Sequence, residues 1–129
     1  MLNSSTTCQG VNPTVRVTIL NNLSNIQNLL IVHCKSKDDD LRTQIVASNK
    51  TYEWEFRVNI FKSALFYCAF NWGNVAATFD MFIAKRDEPR CRTLCVWVAR
   101  DQGVFGYTEI GHVNDLTFPW PTPPSSHAK

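Results

Sequence analysis

Glycine is scarce in this chain, five residues in 129, which leaves little room for the glycine-rich loops that cradle phosphate groups. Neither GxSxG nor HExxH occurs, so the usual signatures of serine and zinc hydrolases are missing. No apolar run approaches the roughly 20 residues of a membrane-spanning helix. The first thirteen residues, MLNSSTTCQGVNP, also lack the apolar centre of a secretory leader, so the chain reads as a mature form. Basic residues do not cluster: 13 Lys and Arg against 11 Asp and Glu give a net charge of +2. Nucleic-acid binding needs a basic stripe to release phosphate counterions, and none is expected here. Cys8, Cys34, Cys68, Cys91 and Cys95 lack the paired CxxC spacing of tetrahedral zinc.

What the chain does have is a globular composition. Hydrophobic residues make up 44%, aromatics 12% and charged residues 19%, a balance that folds, at a length suited to one domain. Five cysteines in so short a chain read as a disulfide framework with one left over. The sequons at Asn3, Asn22 and Asn49 point the same way, because glycan acceptors have meaning only in the secretory pathway. A secreted, extracellular glycoprotein is the expectation.

Period-two alternation dominates. Candidate strands cover 14–20, 29–35, 43–48, 51–58, 64–72, 77–84, 94–100, 103–109 and 113–118. In TYEWEFRV, Tyr52, Trp54, Phe56 and Val58 share one face and Glu53, Glu55 and Arg57 the other, so one face is core and one is wet. In TVRVTIL the inward set is Val15, Val17 and Ile19. Eight or nine short strands at intervals of about ten residues predict an all-β fold, a small antiparallel β-sandwich of about eight strands, with a closed barrel as the alternative. Residues 1–13 read as a flexible N-terminal segment and 14–118 as the domain. Residues 119–129, with four prolines from Pro119 to Pro124, read as a Pro/Ser-rich tail.

The stretch HCKSKDDDL, residues 33 to 41, is the first candidate for chemistry. A calcium loop alternates its carboxylates around a glycine, which Asp38, Asp39 and Asp40 do not. The run reads instead as a solvated turn whose carboxylates accept backbone N–H bonds. A metal-dependent hydrolase using Asp38–Asp40 is the rival reading. His33 and Cys34 are strand neighbours facing opposite ways, so they cannot act as base and nucleophile, and His112 and His127 do not join them. No catalytic residue, metal or cofactor is assigned. Trp54, Trp72 and Trp97 lie in alternating strands and read as core, whereas Trp120, among prolines, reads as exposed. A membrane-active defence protein is a third reading, for which no basic amphipathic helix is visible.

The order of these segments resembles the plant self-incompatibility protein family, the S-protein homologues, over about residues 15 to 118. The carriers are His33 to Leu41, Tyr52/Trp54/Phe56, Leu65/Phe66/Cys68, Cys91/Cys95/Trp97 and Asp101/Gly103. Arg42 departs from the pattern, since glycine is usual after the leucine, and so does Gln102. The resemblance implies a small secreted plant protein with no enzymatic activity, a β-sandwich held by two disulfides among Cys34, Cys68, Cys91 and Cys95. It also implies a signalling role, because the founding members are poppy stigma proteins that meet a pollen membrane receptor in self-incompatibility. The implied partner is a cell-surface receptor protein. Contacts are expected in loops such as Asn21 to Asn28, Ser36 to Arg42 and Asp101 to Gly106. Of the three connectivities that four cysteines allow, long-range closure favours Cys34–Cys95 and Cys68–Cys91, at about 3 to 4 kcal/mol each. Cys8 is the odd thiol.

Overall fold

The computed structural model describes residues 14–58 and 64–121. Among them are nine strands: β1 (Thr14–Asn21), β2 (Leu30–Lys35), β3 (Asp40–Val46), β4 (Thr51–Arg57), β5 (Leu65–Trp72), β6 (Val75–Ile83), β7 (Leu94–Arg100), β8 (Gly103–Tyr107) and β9 (Asn114–Pro119). A single helical turn, α1 (Ala84–Asp87), joins β6 to β7. Two sheets form, one in the order β4-β1-β7-β8-β9 and one in the order β3-β2-β5-β6. The sandwich is therefore the expected one, and each predicted segment coincides with a strand to within three residues at either end.

Alternation explains the core. Val15, Val17 and Ile19 are fully buried from the first sheet; Leu30, Val32, Cys34, Cys68 and Phe70 meet them from the second. On β4 the polar set faces out, where the Arg16 guanidinium pairs with Glu53 and Glu55. Each apolar side chain enclosed in this way contributes about 1.5–3 kcal/mol of hydrophobic stabilisation. Gly106 has a specific reason to be glycine: a Cβ there would lie 2.5 Å from the Trp97 ring that crosses it.

Four expectations need correction. The disulfides are Cys34–Cys68 and Cys91–Cys95, not Cys34–Cys95 and Cys68–Cys91. Cys34 and Cys68 are directly opposed on antiparallel β2 and β5 and both point inward, whereas Cys95 lies in the other sheet. Cys91, at the end of the turn after α1, reaches only its neighbour four residues on. Second, the sheets are not wholly antiparallel: β1 pairs with β7 in parallel, because the α1 connection feeds β7 in at the end where β1 starts. Third, β9 runs to Pro119, and Trp120 is half-buried against Phe70, Trp72 and Phe79, its indole N–H bonding to the Arg100 carbonyl at 2.6 Å. The packed unit thus extends two residues beyond Phe118, and Trp120 packs against the core rather than standing exposed. Fourth, Asp40 opens β3 instead of lying in the turn before it. The expectations for Cys8, Asn3 and His127 lie outside the described residues.

Candidate recognition surface

Strand direction gives the sandwich two distinct ends. β1 ends at Asn21, where its side-chain amide donates to the Asn28 and Val46 carbonyls at 3.0 and 2.9 Å. Asn49 N–H bonds back to Asn21 O at 2.8 Å, so the β1–β2, β3–β4 and β7–β8 connections meet at this Asn21 end. Ser24 links two of them, donating its N–H and hydroxyl to the Asp101 carboxylate. Asn22 and Asn49, two of the glycan candidates, are both exposed here.

At the opposite end lie the turn 36–39, the segment 84–93 and the loop 108–113. The HCKSKDDDL stretch resolves into separate jobs. Cys34 is buried in its disulfide, while His33, on the other face, has its Nε2 2.6 Å from Asp40 Oδ1. Ser36 closes the turn, with its N–H on Asp39 O at 2.7 Å and its hydroxyl accepting Asp39 N–H at 3.1 Å. Leu41 and Arg42 then bulge opposite Cys34, where the β2–β3 register shifts. Arg42 sits at φ 69°, the left-handed region. Glycine is the natural residue for that conformation, which gives the glycine expected at this position a physical reason. Arg42 N–H donates to Asp40 at 2.9 Å. The His33 ring and this N–H hold the Asp40 carboxyl below its ordinary range. Asp38 and Asp39 are exposed, and among the described residues no group of three or more His, Cys, Asp or Glu could hold a metal ion.

The segment AKRDEPRC, residues 84 to 91, supplies functional residues that the sequence analysis did not single out. Asp87 is fully buried. Its carboxylate accepts Ile83 N–H at 2.7 Å, the Arg86 guanidinium at 3.0 and 2.8 Å and Arg90 Nη1 at 2.8 Å. Arg90 reaches on to Asp115 of β9 with two bonds of 2.7 Å, and that fork holds the Asp115 carboxyl below its ordinary range. Both guanidiniums lie over the Trp97 ring, at 5.6 and 5.3 Å from its centre. The sign of this cluster in the sequence is a charge run, Lys85 to Arg90, where alternation stops beside a cysteine.

A second tie fixes the neighbouring loop. The Glu109 carboxylate accepts the Thr93 hydroxyl, Thr93 N–H at 2.8 Å and Leu94 N–H at 3.1 Å. The Thr93 hydroxyl is the main reason its pKa falls below the ordinary value. Glu109 N–H also bonds Arg90 O at 2.9 Å. Between the 88–93 turn and this loop runs an open groove of about 610 Å³, with Pro89, Arg92, Thr93, Thr108 and Ile110 on its walls. A smaller groove, about 420 Å³, runs between the Ser36–Asp39 turn and Phe56, Leu65 and Tyr67. Of the signature residues, Trp54 and Trp97 serve the core. Gly103 admits the β9 backbone, a Cβ there meeting Phe118 O at 2.3 Å. Of the expected contact loops, only Ser36 to Arg42 lies at this end; Asn21 to Asn28 and the start of Asp101 to Gly106 lie at the other.

Residues 16–120 match the sequence pattern of the plant self-incompatibility protein S1 family. S-protein homolog 6 of Arabidopsis thaliana is 41% identical over 109 residues, covering 84% of this chain and 77% of that protein. S-protein homolog 27 of the same plant is 38% identical over 109 residues, covering 84% and 70%. A solved structure of a self-incompatibility protein homologue, described as one of a widespread family of small, highly stable, secreted plant proteins, superposes with a TM-score of 0.68. It is 16% identical and the match covers 86% of this chain and 97% of that one. The chain belongs to the plant self-incompatibility S1 family.

Proposed function

We propose that this member of the plant self-incompatibility S1 family is a secreted, non-catalytic recognition ligand that binds a cell-surface receptor protein through the loops at its Asp87 end. The observation that carries the reading is the pair of open grooves at the Asp87 end, away from the two described glycan candidates. At the Asp87 end a buried ion network and the Glu109 tie hold neighbouring loops in fixed positions around open grooves. Fixed loops lose little conformational entropy on binding, which favours specific contact. The two described glycan candidates, Asn22 and Asn49, sit at the other end, so sugars there would leave the Asp87 end clear. Secretion is supported by the disulfides, by the sequons and by the description of the solved homologue as secreted.

The test is binding of fluorescently labelled, deglycosylated protein to plant plasma-membrane vesicles and to protein-free vesicles of plant lipids. Saturable binding to the former, displaced by unlabelled protein, is expected. Binding to both alike favours a membrane-active protein, and no saturable binding to either overturns the reading.

A further inference from the structure

We propose that the groove between the 88–93 turn and the 108–113 loop is the seat for an extended acidic and apolar segment of the partner protein. One partner carboxylate would meet Arg92, and one apolar side chain would pack on Ile110. The inference rests on the ligand reading above and narrows it to one surface and one chemistry. Ile110 is 91% exposed and Val113 is 58% exposed on the same loop, and neighbouring apolar side chains left in water mark contact sites. This loop is not a loose tip. Thr108 N–H bonds Val113 O at 2.8 Å, Val113 N–H bonds the Thr108 hydroxyl at 3.0 Å, and that hydroxyl donates to Ile110 O at 2.8 Å. Gly111 and His112 follow in left-handed backbone, at φ 87° and 52°. For histidine that conformation costs energy, and such strain persists where surrounding bonds over-determine the backbone. An isoleucine is thus held out in water on a pre-formed loop.

The charge of the partner follows from which groups in the groove are already committed. Glu109 is turned toward Thr93 and Leu94, from which it accepts three hydrogen bonds, and Arg90 is paired with Asp87 and Asp115. Glu88, on the rim, has an interaction of its own. Arg92 is exposed, and no salt bridge or side-chain hydrogen bond involves it among the described residues. Among the described residues that line it, the groove therefore offers Arg92 as its available cation beside the apolar Ile110, and the complementary segment is acidic and apolar.

The experiment titrates the full ¹⁵N-labelled chain with two probe peptides, acetyl-Glu-Leu-Glu-Leu-amide and acetyl-Lys-Leu-Lys-Leu-amide, and follows amide shifts. Saturable shifts confined to residues 88–93 and 108–113, with the acidic peptide only, are expected. Ile110→Ser and Arg92→Glu should each weaken binding by about tenfold or more, while Ile45→Ser, which alters an equally apolar exposed site on β3, should not. Arg92→Glu should also move the preference toward the lysine peptide. No saturable shift up to about 5 mM, equal response to both peptides, or shifts at the Asn21 end overturns the proposal. If the titration fails while saturable vesicle binding persists, the groove is wrong and the ligand reading stands; if vesicle binding fails, the ligand reading falls with it.

Discussion

Replacing Asp87 by asparagine should destabilise the protein by about 3–5 kcal/mol, the range for breaking a buried ion pair from one side. The figure follows from the contacts. Asp87 is fully buried and accepts four hydrogen bonds through two oxygens, three of them from guanidinium groups. Asparagine is the same size but keeps one acceptor, and its NH2 would turn toward an arginine. Losing two charge-assisted bonds at about 1.5–3 kcal/mol each gives about 3–6 kcal/mol, which overlaps that range. Arg90, only 8% exposed, would keep Asp115 but lose its inner partner. The assay is urea unfolding followed by tryptophan fluorescence, with an unchanged slope as the sign that the native and unfolded states are otherwise comparable. Asp115→Asn is the internal control. Its carboxylate is 29% exposed, so water takes up part of the loss and about 1–2 kcal/mol is expected. A cost below about 1 kcal/mol for Asp87→Asn, or equal costs for the two variants, would refute the assignment of this network as what holds the end together. If Asp87→Asn does not fold, Arg86→Met gives the second reading, since Arg86 is 24% exposed and its removal leaves Asp87 one cation.

Three further outcomes are expected. Removing the Cys34–Cys68 bridge, which spans 34 residues, should cost about 4 kcal/mol through chain entropy, against about 2 kcal/mol for the four-residue Cys91–Cys95 bridge; paired Cys→Ala variants compared in urea would show equal costs if closure length were not the cause. Asp40, Asp101, Glu109 and Asp115 all have folded pKa values below the ordinary carboxylate range. Each binds fewer protons folded than unfolded, so its stabilisation is complete above the ordinary values near 4 and is lost as pH falls through the folded ones. Melting temperatures should then be level from neutral pH down to about 5 and fall below about 4. The deficit of Thr93→Val should shrink over that fall, and a deficit independent of pH contradicts the Glu109 assignment. Arg42→Gly should stabilise by up to about 1 kcal/mol, because glycine occupies the left-handed region without a Cβ clash; a thermal scan showing destabilisation would mean that the Arg42 side chain contributes more than its backbone costs.

Strands were legible because alternation encodes them directly: Val15, Val17 and Ile19 on β1, and Tyr52, Trp54 and Phe56 on β4, announce which face is covered. Pairing between strands was not legible, because it depends on where connections deliver the chain. Loop-closure entropy favoured long-range cysteine pairs, yet Cys34 and Cys68 are joined by register on adjacent strands, and entropy of the unfolded chain cannot see register. The parallel β1–β7 pair escaped notice for the same reason. Trp120 among prolines read as exposed because local composition says nothing of the aromatic cluster formed by Phe70, Trp72 and Phe79. At the candidate site, HCKSKDDDL drew attention as an acid run, but only Asp40 among the three aspartates makes a side-chain bond there.

The residues that shape the Asp87 end are hidden from pattern reading by the same physics that makes them useful. A β-sandwich needs alternation only within strands; where α1 interrupts β6 and β7, the chain is free to bury charge, provided every donor and acceptor is matched. Asp87 meets that condition with bonds to Ile83, Arg86 and Arg90, and Arg90 carries the constraint across to Asp115 on β9. The network therefore ties the segment before β7 to the strand after the 108–113 loop, two stretches far apart in sequence. A surface built on such ties keeps its shape without a partner. That is the property a ligand needs if recognition is to depend on the side chains it presents, Ile110 and Arg92 among them, rather than on ordering a loop at the moment of contact.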